Sequence, residues 1–266
     1  MKNVLVGQQA LQEQMGRRFS VDWKSGNHRA RRLVSEFIGT SGLTFFLSTG
    51  ATILVAFGGG PLAPFQFAFI LAAIAALWLV AAVYCLGDIS SHFNPAITLA
   101  FTLRGDMGWP MAVAYICVQL VAAVTGCYGA DLMFGDIVNF APTIPQPGQL
   151  WTAVSFEAII TFGMVLLVLS MANGPKLNSS FIPLAIGAYV MSVGTMAGPY
   201  DGAGFNPART FGPDFVRGDF STFWVYPLGS FIGVLVAVLI ARFLRGPAKA
   251  QESLAAMGVP LDQEDF

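Results

Sequence analysis

Two asparagines, one arginine and two glutamates stand in stretches of this chain that are otherwise almost wholly apolar: Asn94, Asn206, Arg209, Glu36 and Glu157. A carboxamide both accepts and donates, a guanidinium is a permanent cation with a planar fork of donors, and a carboxylate only accepts. Together they can solvate a small polar molecule and hold a fixed positive field. They do not make a nucleophile–base pair, and the two histidines, His28 and His92, are far apart in the chain. The cysteines Cys85, Cys117 and Cys127 lie in apolar stretches without metal-ligand spacing, and their odd number speaks against a complete disulfide framework. No enzyme, metal site or cofactor is expected.

These residues must be positioned by unusual elements, because both asparagines open the same tripeptide. Asn94-Pro95-Ala96 and Asn206-Pro207-Ala208 each sit in a Phe-Asn-Pro-Ala-x-Thr frame, and each copy runs on to an Arg-Gly-Asp, at Arg104-Gly105-Asp106 and Arg217-Gly218-Asp219. The match argues for an internal duplication. Asn is a favoured N-cap and Pro fits the first helical turn, so each motif starts a helix. The helices predicted from Asn94 to Leu103 and from Asn206 to Val216 hold on the order of ten residues and cross only about half of a bilayer core. Their N-terminal ends carry partial positive charge and would meet near the membrane centre if the two halves of the chain face each other.

The chain has 266 residues, 55% apolar and 11% charged, with a net charge of −1, which describes an integral membrane protein and gives no reason for a nucleic-acid partner. Apolar stretches of spanning length cover about 33–56, 65–87, 109–132, 151–172, 180–199 and 223–244. The half-helices fall after the second and after the fifth. Three spans per half is an odd number, so the second half enters from the opposite side and the repeat is inverted. Arg17, Arg18, Lys24, Arg29, Arg31, Arg32, Arg104, Lys176, Arg242, Arg245 and Lys249 then share one side, expected to be cytoplasmic, whereas Arg209 and Arg217 lie on the other. Leu11, Met15 and Phe19 leave open whether part of the tail lies on the membrane surface or is plainly solvated. The connector from Gly135 to Gln149 reads as external, Glu252 to Phe266 as a disordered cytoplasmic tail, and Asn178-Ser179-Ser180 as a triplet on the wrong side for glycosylation.

Paired Asn-Pro-Ala motifs, each after two spans of its half, resemble those of the aquaporin and glycerol-facilitator family over residues 33–245. The resemblance implies an all-α membrane protein of six transmembrane helices and two re-entrant half-helices around one pore per subunit, in a homotetramer. It divides the chain into a cytoplasmic tail, 1–32, a channel domain with repeats 33–134 and 151–245, and a second cytoplasmic tail, 246–266. It also implies a multi-pass protein of a cell membrane, taken here as a bacterial inner membrane, with lipid, water and small neutral solutes as its partners.

By the same resemblance Asn94 and Asn206 donate to a single-file permeant, and Arg209 takes the place of the arginine in the outer constriction. Read from the sequence alone, Arg209 is either a functional cation at depth or a snorkelling one at the outer interface. Counting with the spacing of glycerol facilitators and plant nodulin-type members gives Gly194 and Ala203 as further constriction residues. On the second span the stretch Gly87–His92 is one residue short, so Ile74, Ala75 or Ala76 could face the pore, with Ala75 favoured. That filter would lack the bulky rings of a strict water pore, although Phe223-Trp224 is more like water channels. The resemblance gives Glu36 and Glu157 the task of accepting hydrogen bonds from the backbone that leads into the half-helices. His92 either lines the cytoplasmic vestibule or bonds loop backbone. The expected function is passive conduction of water and small uncharged solutes such as glycerol, urea or metalloid hydroxides, with protons and ions excluded. A strictly water-selective channel and a secondary active transporter are the alternatives.

Overall fold

Eight helices follow one another in the computed structural model, which describes residues 26–135, 137, 139–172 and 181–246. They are α1 (Gly26–Phe57), α2 (Pro64–Leu86), α3 (Pro95–Arg104), α4 (Trp109–Phe134), α5 (Leu150–Ala172), α6 (Ile182–Asp201), α7 (Pro207–Arg217) and α8 (Val225–Arg245). Six of them are long and apolar enough to cross a membrane, and α3 and α7 are the half-length pair. The expected readings of the tail 1–25, Lys176, Asn178-Ser179-Ser180, Lys249 and 252–266 lie outside the described residues.

The element bounds agree with those expected from the sequence to within about two residues except at the start of α1, which begins at Gly26 rather than 33. Hydropathy ends where Arg29, Arg31 and Arg32 begin, but arginine is a good helix former, so the helix runs on past the apolar stretch.

Packing repeats across the two halves. α1 lies along α4 as α5 lies along α8, and α2 lies along α6 at the join between halves. Each half-helix is held by the other half's spans as well as its own: α3 contacts α8 and α5 besides α4, and α7 contacts α4 and α1 besides α8. Small residues permit these close approaches. A Cβ on Gly126 of α4 would overlap the Ser41 carbonyl of α1, and one on Gly233 of α8 would overlap the Ala158 carbonyl of α5. Such crossings stabilise a bundle in lipid, where no hydrophobic drive exists between helices.

Both half-helices end on the Arg-Gly-Asp sequence. Gly105 (φ 97°) and Gly218 (φ 70°) are left-handed caps, and the following Asp106 and Asp219 donate their N–H groups back to Phe101 and Asp214 carbonyls. The aspartates also pair with the arginines of their own triplets, Arg104–Asp106 and Arg217–Asp219. The duplicated triplet is therefore a helix stop with its own ion pair.

Candidate functional site

Asn94 and Asn206 are extended N-caps, with φ −158° and −150°. Asn94 Oδ1 accepts from the Ala96 N–H at 2.8 Å, and Asn206 Oδ1 accepts from Ala208 and Arg209 N–H at 3.0 and 3.3 Å. Both amides, expected to donate to a permeant, also donate within the protein. Asn94 Nδ2 donates to the Phe205 carbonyl and Asn206 Nδ2 to the Phe93 carbonyl, each at 2.9 Å. One of the two hydrogens of each amide is thus spent on the opposite motif, and one is left over. Pro95, Ala96 and Ala208 are buried behind the caps, and Pro207 is partly exposed.

The irregular backbone before each motif needs acceptors, and Glu36 and Glu157 supply them. Glu36 Oε1 accepts from Ser90 Oγ and the His92 N–H at 2.6 and 2.8 Å, and its Oε2 from the Phe93 N–H and Gln119 Nε2 at 2.7 and 2.8 Å. Glu157 accepts the Gly204 and Phe205 N–H groups, one per oxygen, at 2.6 Å each. Both glutamates are fully buried. They hold Phe93 and Phe205 at positive φ, 50° and 26°, where a side chain is unfavourable unless its surroundings fix it. Asp201, not singled out in the sequence, does the same for Ala203 (φ 53°) by accepting its N–H at 2.9 Å.

His92 borders a cavity, and its ring meets side chains. Its backbone bonds Glu36, its Nδ1 lies 3.0 Å from Thr98 Oγ1, and its ring stacks on Phe101.

Two cavities lie along the bundle. The inner one, about 110 Å³, is bordered by His92, Asn94 and Asn206, and the outer one, about 460 Å³, by Pro64, Leu71, Gly194 and Gly202. Five residues border both: Ala75, Val190, Ala203, Phe205 and Arg209. Ile74 and Ala76 border neither, so of the three candidates on α2 only Ala75 borders the cavities. Gly194 borders only the outer cavity, and a Cβ there would stand 2.9 Å from Ala72 Cβ, so its missing side chain is spent on the α2–α6 crossing. Val190, one turn earlier on the same face of α6, was missed by counting back from the second motif. Its four-residue spacing from Gly194 was the signal that could have found it.

Arg209 is nine-tenths buried rather than snorkelling. Its Nη1 donates to the Ala141 carbonyl at 2.9 Å and its Nη2 to the Gly202 carbonyl at 3.4 Å. Among the described residues no carboxylate lies within ion-pair distance of its guanidinium, and the residue borders both cavities.

Residues 22–241 match the family described as Major intrinsic protein. Aquaporin NIP1-1 of Zea mays is 32% identical, over 82% of this chain and 77% of its own length. Probable aquaporin TIP1-2 of Oryza sativa subsp. japonica is 35% identical over 79% of this chain and 85% of its own. In three dimensions the chain superposes on an aquaglyceroporin from Plasmodium falciparum with a TM-score of 0.69, covering 80% of this chain and 95% of that one at 21% identity, a likeness of fold.

Proposed function

The chain belongs to the major intrinsic protein family, and from that premise we propose that its passive, non-enzymatic channel conducts water together with small uncharged solutes such as glycerol, urea or metalloid hydroxides. The observation that carries this reading is the set of five residues bordering both cavities. Ala75 and Ala203 bring only methyl groups to it, and Arg209 brings the one charge. A passage so lined leaves space beside a fork of donors that can replace part of a hydroxyl's or carbonyl's hydration.

Exclusion of ions rests, in this reading, on two positive features in series. Arg209 stands at the constriction, and the N-terminal ends of α3 and α7 point together at the paired asparagines. The remaining amide hydrogens of Asn94 and Asn206 donate to a permeant there. A water that accepts from both faces them with its oxygen and cannot relay a proton along the file.

Phe205 and Val190 favour the second reading, a strictly water-selective pore, because two larger residues border both cavities beside the two alanines. Stopped-flow light scattering on proteoliposomes, comparing water with glycerol, urea and boric acid, decides between them. Water flux without solute flux above empty vesicles would sink the broader reading.

We place the protein in a cell membrane as a homotetramer, with residues 33–245 as the channel unit and both flanking tails cytoplasmic. The helix ends carrying Arg31, Arg32, Arg104, Arg242 and Arg245 share that side, as cytoplasmic loops favour arginine. The two aquaporins named above are plant proteins and lend no support to the bacterial inner membrane expected from the sequence.

A further inference from the structure

The connector between the two halves contains three successive non-glycine residues with positive φ: Asn139 (50°), Phe140 (61°) and Ala141 (53°). Left-handed backbone is unfavourable for L residues, and a run of three persists only where neighbouring groups hold it. Phe140 and Ala141 are buried, and Ser48 of α1 donates from Oγ to the Phe140 carbonyl at 3.1 Å. Cys127 Sγ lies 3.7 Å from the same hydroxyl and is the weaker acceptor. At the far end of the strap, fully buried Thr143 donates from Oγ1 to Thr210 Oγ1 of α7 at 3.2 Å.

The strap in turn holds Arg209. Its Ala141 carbonyl takes Nη1 at 2.9 Å, the shorter of the two bonds that orient the guanidinium. The peptide plane that carries the Phe140 carbonyl adjoins the one that carries the Ala141 carbonyl, both residues are buried, and α1 and α7 are in contact. Fixing the Phe140 carbonyl therefore fixes its neighbour. Ser48 borders neither cavity and belongs to the opposite half of the chain from Arg209.

We infer that Ser48 is a positioning residue for the constriction: by holding the Phe140 carbonyl it aims the Ala141 carbonyl, and through it the Arg209 guanidinium, into the passage. The inference rests on the reading of Arg209 as the excluding charge, so its test separates the two. Ser48→Ala, Ser48→Thr, Arg209→Ala and the Ser48→Ala/Arg209→Ala double variant of the full chain are placed in proteoliposomes. Cation leak relative to water flux is then measured, with thermal stability in detergent alongside.

Loss of the one bond should raise the leak ratio about two- to tenfold in Ser48→Ala. Ser48→Thr, which keeps a hydroxyl, should restore the wild-type ratio, and Ser48→Ala should add nothing when Arg209 is already Ala. An unchanged ratio in Ser48→Ala beside a raised one in Arg209→Ala overturns the inference alone, as do additive effects in the double variant. An unchanged ratio in Arg209→Ala overturns the reading beneath it. If Ser48→Ala does not fold, Thr143→Val frees the other end of the strap with little change of shape. It should raise the ratio in the same way, and a wild-type ratio there would overturn the inference.

Discussion

Asn94 and Phe205 are 111 residues apart in the chain and joined by a 2.9 Å hydrogen bond, from the amide of one motif to the carbonyl that precedes the other. Asn206 and Phe93 make the mirror bond at the same distance. The two half-helices are thus tied end to end by side chains that also cap them, and the positive ends of both are held at one point. In the proposed reading stability and exclusion share these two residues.

Replacing Asn94 by Ala removes a cap and a cross-link together, so it should cost about 1–3 kcal/mol, the sum of a lost cap and a lost hydrogen bond. Thermal unfolding in detergent checks the loss. The same variant should weaken proton exclusion, read as leak in vesicles under a pH gradient.

Arg209→Ala should leave the spans packed and water flux present while raising cation or proton leak, because it removes the charge at the constriction and touches no ion pair. Leak and water flux measured on the same vesicles decide. An unaltered leak would take Arg209 out of its assigned role.

Glu157 receives one backbone N–H on each oxygen. Glutamine keeps one acceptor and turns an amide N–H toward the other donor, whereas alanine leaves two buried donors unpaired at about 1–3 kcal/mol each. The expected order of melting temperature is wild type, Glu157→Gln, Glu157→Ala. Glu36 takes four donors, so Glu36→Gln should fall further than Glu157→Gln.

In the proposed reading Ala75 and Gly194 stand where a strict water pore would carry rings, yet they should respond differently. Ala75→Phe projects into the passage and should abolish glycerol flux while sparing water. Gly194→His first has to displace Ala72, 2.9 Å from its new Cβ, and should lower the melting temperature before it tests selectivity. Solute flux together with unfolding of each single variant separates the two effects.

Gly218→Ala is the simplest of these tests. Nothing lies within 4 Å of the added Cβ, and the residue sits at φ 70°, so the cost is conformational alone, about 1–2 kcal/mol. Equal stability of the variant would mean that the end of α7 is not held as the left-handed cap describes.

Local physics made much of this protein legible from its residues. Asn-Pro-Ala is a helix start wherever it occurs, a ten-residue helix cannot cross a bilayer, and three spans per half force an inverted repeat. Those statements need no partner, so they hold before the chain is folded. Contacts between halves are another matter, because they depend on how closely helices approach. Sequence spacing put Gly194 beside the constriction, but the approach of Ala72 decides that its absent side chain serves a helix crossing. The destination of the spare asparagine hydrogens was undetermined until Phe93 and Phe205 were bent to positive φ by two buried glutamates. Val190 borders the passage because α6 packs along α2, and Ser48 reaches Phe140 because α1 lies against the connector. A hydrogen bond or a cavity wall is set to within a few tenths of an ångström, and that precision comes from packing across many residues at once, which no local stretch of sequence encodes.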